Sequence, residues 1–254
     1  MASPILEVRG LAKTFGAVTA ARDIDVDIHE AELVGVIGSN GAGKTTFVNM
    51  VTGYLKPSAG SIRFNGRDIT GFAPRQTTRA GIGRSFQIAQ LFPGLTVLDN
   101  MLIALGMLDE GRLSWLAPLH TAKRERDAIA VLDKYAIGKH ATDQVSTLSQ
   151  GVRKLLDIAM ATVSAPPLVL LDEPTSGVAI DDKFALMENV MGAVRSSGAA
   201  CLFIEHDMEI VARYASRVMA FYDGRILADG PMQQVLDNAD VRQYVIGSEI
   251  HRRT

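Results

Sequence analysis

The sequence feature that most constrains the fold is a glycine-rich segment that directly follows a short apolar run. The run Glu32-Leu-Val-Gly-Val-Ile37 has the length and composition of a strand buried on both faces, as in a parallel sheet. The next residues, Gly38-Ser-Asn-Gly-Ala-Gly-Lys-Thr45, match the pattern G-x-x-x-x-G-K-[ST] between a predicted strand and a predicted helix. This order of elements predicts an α/β core with the segment at one end of a central strand.

The residue types in this segment are typical of a phosphate site. Glycines let successive main-chain N–H groups turn inward around a polyphosphate, and the following helix adds its positive N-terminal end. Lys44 would place its ammonium on the β and γ phosphates, the Thr45 hydroxyl would ligate Mg²⁺, and Thr46 would lie nearer the α phosphate. The predicted nucleotide-binding residues here are Gly38, Ser39, Asn40, Gly41, Ala42, Gly43, Lys44, Thr45 and Thr46.

Two acidic residues end a second strand of the buried type. Leu168-Val-Leu-Leu171 is apolar throughout and is followed by Asp172 and Glu173. Because ligands of open α/β sheets bind at the carboxyl ends of the strands, these acids are predicted to lie near the glycine-rich segment. Asp172 suits the outer sphere of Mg²⁺, and Glu173 suits the general base that polarises the attacking water. The two features together predict a P-loop NTPase.

The rest of the chain predicts an α/β core interrupted by a helical block. Alternating patterns at Ile5–Val8 and Ile24–Ile28 each predict an edge strand with one solvated face. Residues 95–165 have helical periodicity, with a loop or irregular insertion at 106–120 that contains Trp115. Hairpins are predicted to turn at Asn65-Gly66 and Asp223-Gly224, and a strand–helix–strand unit with parallel pairing is predicted across 168–204.

Three segments follow from this organisation. They are a nucleotide-binding core with a β subdomain at 1–94, a helical subdomain at 95–165, and the rest of the core at 166–254. The predicted fold class is a P-loop NTPase (RecA-like) α/β core with an antiparallel β subdomain and an inserted helical subdomain.

Composition excludes several other classes. The chain has 26 Lys and Arg against 28 Asp and Glu, a formal charge of −2, so it lacks the basic surplus of a non-specific nucleic-acid binder. A single cysteine, Cys201, cannot form an intrachain disulfide and fits the reducing cytoplasm. The first residues do not resemble a signal peptide, and no apolar run approaches about 18 residues. A role in transport would therefore need a pore from other subunits.

Further motifs follow in order along the chain. Leu148-Ser-Gln-Gly-Val-Arg-Lys154 precedes the acidic pair, Gln87 ends Arg84-Ser-Phe-Gln87, and His206 lies in Ile204-Glu-His-Asp207. An aromatic residue, Phe15, lies in Lys13-Thr-Phe-Gly16. With this ordered set the chain resembles the ATP-binding subunits of ABC transporters over nearly all of its 254 residues.

The resemblance implies roles for these residues. Gln87 corresponds to the Q-loop glutamine that senses Mg²⁺ and the γ phosphate, and His206 to the switch histidine that holds the attacking water in register with Glu173. Phe15 would stack on adenine, with Val18 packed beside the base. The implied catalytic residues are Glu173, His206, Lys44 and Gln87, and the implied metal-site residues are Thr45, Gln87 and Asp172.

The resemblance also implies partners. Ser149 and Gly151 of the signature segment would reach ATP bound to a second ABC ATPase subunit, in a homodimer or a heterodimer. Two membrane permeases, and indirectly a solute-binding protein, complete the expected assembly, with ATP and Mg²⁺ as ligands and no nucleic acid. The expected location is peripheral, at the cytoplasmic face of the inner membrane.

Finer motifs favour one branch of the family. Gly81-Ile-Gly-Arg-Ser-Phe-Gln87 and Leu91-Phe-Pro-Gly-Leu-Thr-Val-Leu-Asp-Asn100 resemble importers of branched-chain amino acids, in particular their larger ATPase subunit. That branch also serves urea, amides and aromatic acids, so the solute stays open. The alternatives are the ATPase of a lipopolysaccharide exporter and a soluble ABC ATPase of DNA repair or translation control. The single cassette, the lack of a heptad run and the charge balance disfavour the second alternative.

The chain departs from the family pattern at the signature and in the segment after the acidic pair. Gln150 and Val152 stand where the pattern has glycine and glutamine, and Ala179 stands where the family usually has aspartate. Gln150 would place a side chain close to the nucleotide, and Ala179 cannot make the cross-dimer hydrogen bonds of an aspartate. Two explanations stay open: an asymmetric heterodimer with one weaker site, or a tolerated family variant.

Overall fold

The strands of the computed structural model form two sheets within the described residues, which are 3–87, 89–108 and 118–247. The strand bounds are β1 Leu6–Phe15, β2 Val18–Ile28, β3 Leu33–Gly38, β4 Ala59–Phe64, β5 Arg67–Asp68, β6 Ile82–Arg84, β7 Leu168–Asp172, β8 Ala200–Ile204, β9 Arg217–Tyr222 and β10 Arg225–Gly230. One sheet has the order β2-β1-β4-β5 and the other β10-β9-β3-β8-β7-β6. The predicted α/β core and antiparallel portion are both present.

Helices lie in the described part of the predicted helical block and connect strands of the larger sheet. Their bounds are α1 Lys44–Val51, α2 Pro74–Ala80, α3 Val97–Gly106, α4 Ala122–Lys134, α5 Gln150–Ala161, α6 Ile180–Ser197, α7 Met208–Tyr214, α8 Met232–Asp237 and α9 Ala239–Val241, which runs into a π-helix at Arg242–Ile246. Short 3₁₀ turns lie at Gly138–His140 and Val145–Thr147. Most of the predicted insertion, including Trp115, lies outside the described residues. Within the described ranges, no helix has both the length and the apolar character to cross a membrane.

The larger sheet is parallel from β9 through β6. β3 pairs with β9 and β8, β8 with β7, and β7 with β6, all in parallel, which confirms the pairing predicted for 168–204. Every residue of β3, β7 and β8 is buried, as expected for strands covered on both faces. The segments that follow β3, β6, β7 and β8 therefore leave the sheet at one common edge.

The prediction that Ile5–Val8 forms an edge strand is wrong. β1 pairs with β2 on one side and with β4 on the other, so β1 is an inner strand and β2 is the edge. The predicted hairpin at Asn65-Gly66 joins β4 to β5 and brings β4 against β1. Alternating burial reports which face of a strand meets the core, and it does not report how many neighbours the strand has.

Apolar side chains fill both faces of the parallel sheet. On one face, Val169, Leu171 and Phe203 pack in a cluster with α3, α4, α5 and α6. On the other, Leu170 and Leu202 pack in a cluster with α1 and the antiparallel sheet. The division at 94/95 and 165/166 stays a prediction.

Candidate functional site

The glycine-rich segment forms a tight loop between β3 and α1. Gly38, Gly41 and Gly43 all have positive φ angles, of 151°, 82° and 101°. A Cβ atom at Gly43 would lie 2.8 Å from the carbonyl oxygen of Ala20 and 3.1 Å from Gly224 Cα, so this position has no room for a side chain. The loop turns inward and delivers the chain directly into the first turn of α1, which is the geometry of an anion cradle.

Lys44 is the first residue of α1 and lies under this loop. Its side chain is buried, at 6% exposure, and its ammonium donates to the carbonyls of Gly38 at 2.6 Å and Ser39 at 3.1 Å. The neighbouring Thr45 is exposed and Thr46 half-buried. The cation therefore lies at the centre of the cradle with the two threonines at its rim.

The predicted catalytic side chains meet at the common edge of the sheet. Glu173 follows β7 with a φ angle of 50° and accepts at Oε2 from Gln87 Nε2 at 2.7 Å. His206 Nε2 lies 2.9 Å from Glu173 Oε1. Each carboxylate oxygen thus has one hydrogen-bond partner, and these partners come from the segments after β6 and β8. Residues far apart in sequence are brought together as predicted from the motifs.

Asp172 lies beside these groups and pairs with an arginine that sequence reasoning did not select. Arg84 NH2 lies 3.4 Å from Asp172 Oδ2, and its NH1 donates to Asn49 Oδ1 at 2.7 Å and Thr52 Oγ1 at 2.8 Å. Burial raises the pKa of the Asp172 carboxyl, and the positive charge of Arg84 opposes that rise. Arg84 therefore links α1 to the acidic end of β7.

A second buried polar group supports the loop that carries His206. Glu205 Oε1 accepts from the main-chain N–H of Thr175 at 2.9 Å and from its hydroxyl at 2.7 Å. Glu205 Oε2 accepts from the His206 N–H at 3.2 Å. Glu205 is buried, so these bonds replace the water that its carboxylate would otherwise keep.

Helix α5 supports the segment that carries Gln87. Asp157 is buried and accepts from the main-chain N–H of Phe86 at 3.1 Å and of Gln90 at 3.0 Å. Lys154 lies one turn earlier on the helix and donates to main-chain carbonyls of the same segment. Neither residue was selected from the sequence as part of the site. Lys154 is the last residue of the signature segment and Asp157 lies three positions further along α5, but no sequence pattern marks either residue as a partner of the main chain near Gln87.

The signature segment lies at the start of α5. Ser149 caps the helix, and its hydroxyl accepts from the Val152 N–H at 3.4 Å. Ser149 is exposed and Gly151 half-buried, and no hydrogen bond of the described residues joins either to the cradle at 38–46. The Gln150 side chain turns toward the chain's own 176–179 turn, where a Cβ at Gly177 would lie 3.6 Å from Gln150 Cγ.

The predicted base-binding residues lie at the end of the β1–β2 hairpin. Phe15 and Val18 pair across the turn and are 51% and 65% exposed. The Lys13 ammonium lies 5.1 Å from the centroid of the Phe15 ring. Large apolar side chains exposed to this extent at a hairpin tip offer a surface on which a planar base can stack.

The side chains predicted to hold Mg²⁺ fit that ion by chemistry. Thr45, Gln87 and Asp172 supply a hydroxyl, an amide oxygen and a carboxylate, which are the hard oxygen donors that Mg²⁺ prefers. Gln87 contacts Glu173 through its amide nitrogen, so that bond does not use the amide oxygen that would be the metal donor.

A parallel sheet with a glycine cradle after one strand and an acidic pair after another defines the class of P-loop nucleotide-binding proteins. Within that class, the model of the ABC transporter family matches residues 21–176, and the chain belongs to this family of ATP-binding, ATP-hydrolysing subunits. Two relatives are similar along nearly their whole length. The high-affinity branched-chain amino acid transport ATP-binding protein LivG of Escherichia coli K12 is 33% identical, with 97% of this chain and 99% of LivG covered. BraF of Pseudomonas aeruginosa, which has the same description, is 34% identical with the same coverage.

Solved structures of ATP-binding cassettes are similar to the whole fold. A nucleotide-free ATP-binding cassette from an ABC transporter superposes with a TM-score of 0.83 at 28% identity, covering 95% of this chain and 98% of that one. A cassette in its ADP conformation superposes with a TM-score of 0.84 at 29% identity, covering 97% of this chain and all of the other. Both likenesses therefore extend over nearly the whole chain.

Proposed function

We propose that this chain hydrolyses ATP with Mg²⁺ as the ATPase subunit of an importer for branched-chain amino acids or a related small solute. In this proposal it works beside a second ATPase subunit, under two permeases served by a solute-binding protein, at the cytoplasmic face of the inner membrane. The names of LivG and BraF support the solute class. One observation carries the hydrolytic role: Glu173 is held between Gln87 and His206 at the edge of the sheet where the cradle opens.

The cradle binds and orients the triphosphate. Main-chain N–H groups of residues 38–43 and the N-terminal end of α1 supply a positive field, and the Lys44 ammonium exchanges its bonds to the Gly38 and Ser39 carbonyls for phosphate oxygens. Phe15 and Val18 would contact the base. Thr45, Gln87 and Asp172 would hold Mg²⁺, which neutralises charge on the phosphates.

Glu173 and His206 carry the chemistry. The Glu173 carboxylate accepts a proton from the attacking water, and His206 holds the carboxylate at one oxygen while Gln87 holds the other. Most of the rate enhancement comes from position and electrostatics, because phosphoryl transfer asks for little covalent work from the protein. Ser149 and Gly151, which have no hydrogen bond to their own cradle among the described residues, would complete the site of the second subunit.

The first test is the variant Glu173→Gln. The amide keeps the shape and one acceptor oxygen, but its NH₂ group meets the Gln87 or the His206 side chain and it cannot accept a proton, so kcat should fall by about 100-fold or more while nucleotide affinity is retained. Steady-state ATPase assays and binding of a fluorescent nucleotide analogue measure the two quantities. Glu188→Gln is the matched control, since Glu188 is an exposed carboxylate on α6 that accepts from the Tyr214 hydroxyl. Wild-type turnover in Glu173→Gln would overturn the proposed base.

A further inference from the structure

A lysine is buried against the catalytic segments. Lys154 on α5 is 1% exposed, and within the described ranges no ion pair joins its ammonium to a carboxylate. Removing an ammonium from water is costly unless hydrogen bonds replace the lost hydration. The three N–H donors of Lys154 are instead directed at three main-chain carbonyls, so hydrogen-bond geometry specifies its position.

Those carbonyls belong to the two segments that meet at the catalytic acid. The ammonium donates to the carbonyl of Gln87 through a short hydrogen bond, to that of Phe86 at 3.4 Å, and to that of Glu173 at 3.3 Å. The side chains of Gln87 and Glu173 are themselves joined at 2.7 Å. One cation therefore binds the main chains of both residues whose side chains form the catalytic contact.

The surroundings of Lys154 are consistent with a specified site. Burial lowers the pKa of its ammonium, and the nearby carboxylates of Asp157, Glu173, Asp172 and Glu205 favour its charged form. Asp157 separately holds the N–H groups of Phe86 and Gln90, so α5 grips the same segment through an anion and a cation.

We propose that Lys154 is a positioning residue for ATP hydrolysis, because its ammonium fixes the main chain of Gln87 relative to that of Glu173. The inference rests on the proposed function, in which Glu173 is the base. Lys154 lies on the same helix that begins at the signature residue Ser149. A contact made by a second subunit at the start of α5 thus acts on the rigid element that sets the Gln87–Glu173 geometry.

The test compares Lys154→Met with Lys154→Gln in the full chain assembled with its partner subunits. Methionine has a similar length but no donors, so kcat should fall by about 10- to 100-fold, as expected when reacting groups are misplaced by about 1 Å. The KM for MgATP should stay within about twofold because the cradle is untouched. Glutamine keeps an amide donor and should recover part of the lost kcat, which a purely space-filling role would not produce.

A stability control uses the same helical cluster. Tyr135 is buried, and its hydroxyl bonds to Thr162 Oγ1 at 2.7 Å, so Tyr135→Phe removes a buried hydrogen bond away from the catalytic segments. This variant should lower the melting temperature with kcat unchanged. If Lys154→Met does not fold, the comparison of Lys154→Gln with Tyr135→Phe at matched stability decides the same question.

A double-mutant cycle tests whether Lys154 acts through Gln87. In a Gln87→Ala background, Lys154→Met should cost a smaller factor in kcat than in the wild type, because the side chain it positions is already gone. An equal factor in both backgrounds, or a wild-type kcat for Lys154→Met, would overturn the inference. Activity in Glu173→Gln would instead overturn the proposed base, so the two failures are distinguishable.

Discussion

Two regions of the molecule differ in how their polar groups are hydrogen-bonded. The cradle side comprises residues 38–46 with Gln87, Glu173 and His206, and the signature side comprises the start of α5 at 149–152 with the turn at 176–180. On the cradle side, Lys44 bonds to its own loop, and Glu173 is held by Gln87 and His206. On the signature side, Ser149 is exposed and bonds to nothing beyond its own helix cap among the described residues, and Ile180 is 79% exposed.

This difference indicates which part of the site this chain organises with its own hydrogen bonds. A site whose polar groups are already mutually bonded is preorganised, and substitutions within it should change turnover or binding strongly. A surface whose groups have few internal partners contributes through what it contacts in another molecule, and substitutions there should leave the chain itself unchanged. The following predictions separate the two sides.

Among the variants that compare the two sides, the largest effect is expected at Lys44. Lys44→Ala removes a buried ammonium that would bind phosphate oxygens, and loss of charge-assisted hydrogen bonds worth about 1.5–3 kcal/mol should weaken nucleotide binding by about 10- to 100-fold. A titration with a fluorescent nucleotide analogue measures the change. Lys139→Ala, at an exposed lysine of a 3₁₀ turn, should bind as the wild type does. Unchanged affinity in Lys44→Ala would contradict the claim that the cradle side binds the nucleotide.

A smaller effect, on kcat, is expected at Glu205, which supports the loop that carries His206. Glu205→Gln keeps the volume but places an amide NH₂ against at least one of three N–H or O–H donors from Thr175 and His206. The loop that carries His206 should shift, and kcat should fall by about tenfold with little change in KM, consistent with about 1.4 kcal/mol. A fall in affinity without a fall in kcat would contradict this.

Changes on the signature side should be smaller still. Gln150 turns toward Gly177 of its own chain, so Gln150→Gly should leave the ATPase rate of the assembled complex within about threefold, and Ala179→Asp likewise. Steady-state rates of both variants test this expectation. A large rise in either would favour the asymmetric heterodimer, and unchanged rates in both would favour a tolerated variant.

The smallest effect on ATPase activity is expected at His120, which lies outside both regions and joins the first turns of α3 and α4; its contribution is to stability. Its ring nitrogens lie 3.1 Å from Asp99 Oδ1 and 3.0 Å from Glu125 Oε1, and the hydrogen bond to Glu125 is the main cause that raises the pKa of His120. Because folding raises this pKa, the protonated histidine stabilises the folded state. That stabilisation is fully present below the unfolded pKa of about 6.5 and is lost as the pH rises past the folded pKa.

Unfolding measurements across pH test this linkage. The difference in melting temperature between the wild type and His120→Ala should be largest near pH 6 and should shrink toward pH 9. ATPase activity should be equal for the two proteins at either pH. A difference that grows with pH would contradict the sign of the His120 contribution.

Much of the fold was predictable because its signals are local. The glycine cradle, the Asn65-Gly66 and Asp223-Gly224 turns and the apolar strands each carry their structure in adjacent residues, and each is present where predicted. The neighbours of β1 were not predictable in this way. Which strands lie beside β1 depends on a partner from residues 59–64, and nothing in an alternating pattern names that partner.

The site was predictable where residue type alone implies chemistry. Lys44, Glu173 and His206 stand in motifs whose order suggested that they would meet, and the structure brings Gln87 and His206 onto Glu173. Lys154 and Asp157 were missed because charges on a helix normally indicate a solvated face. Their partners are main-chain N–H and C=O groups, which every residue carries and no sequence pattern marks.

The grip of Asp157 on the segment at 86–90 has a consequence for chimeras of related cassettes. Grafting α5 from a related cassette onto this chain would bring in a helix whose charged side chains fit the corresponding loop of the donor protein. The N–H groups of Phe86 and Gln90 would then lose the acceptor that holds them. A working graft should exchange the helix and residues 84–90 together, although some 60 positions of sequence separate the two segments.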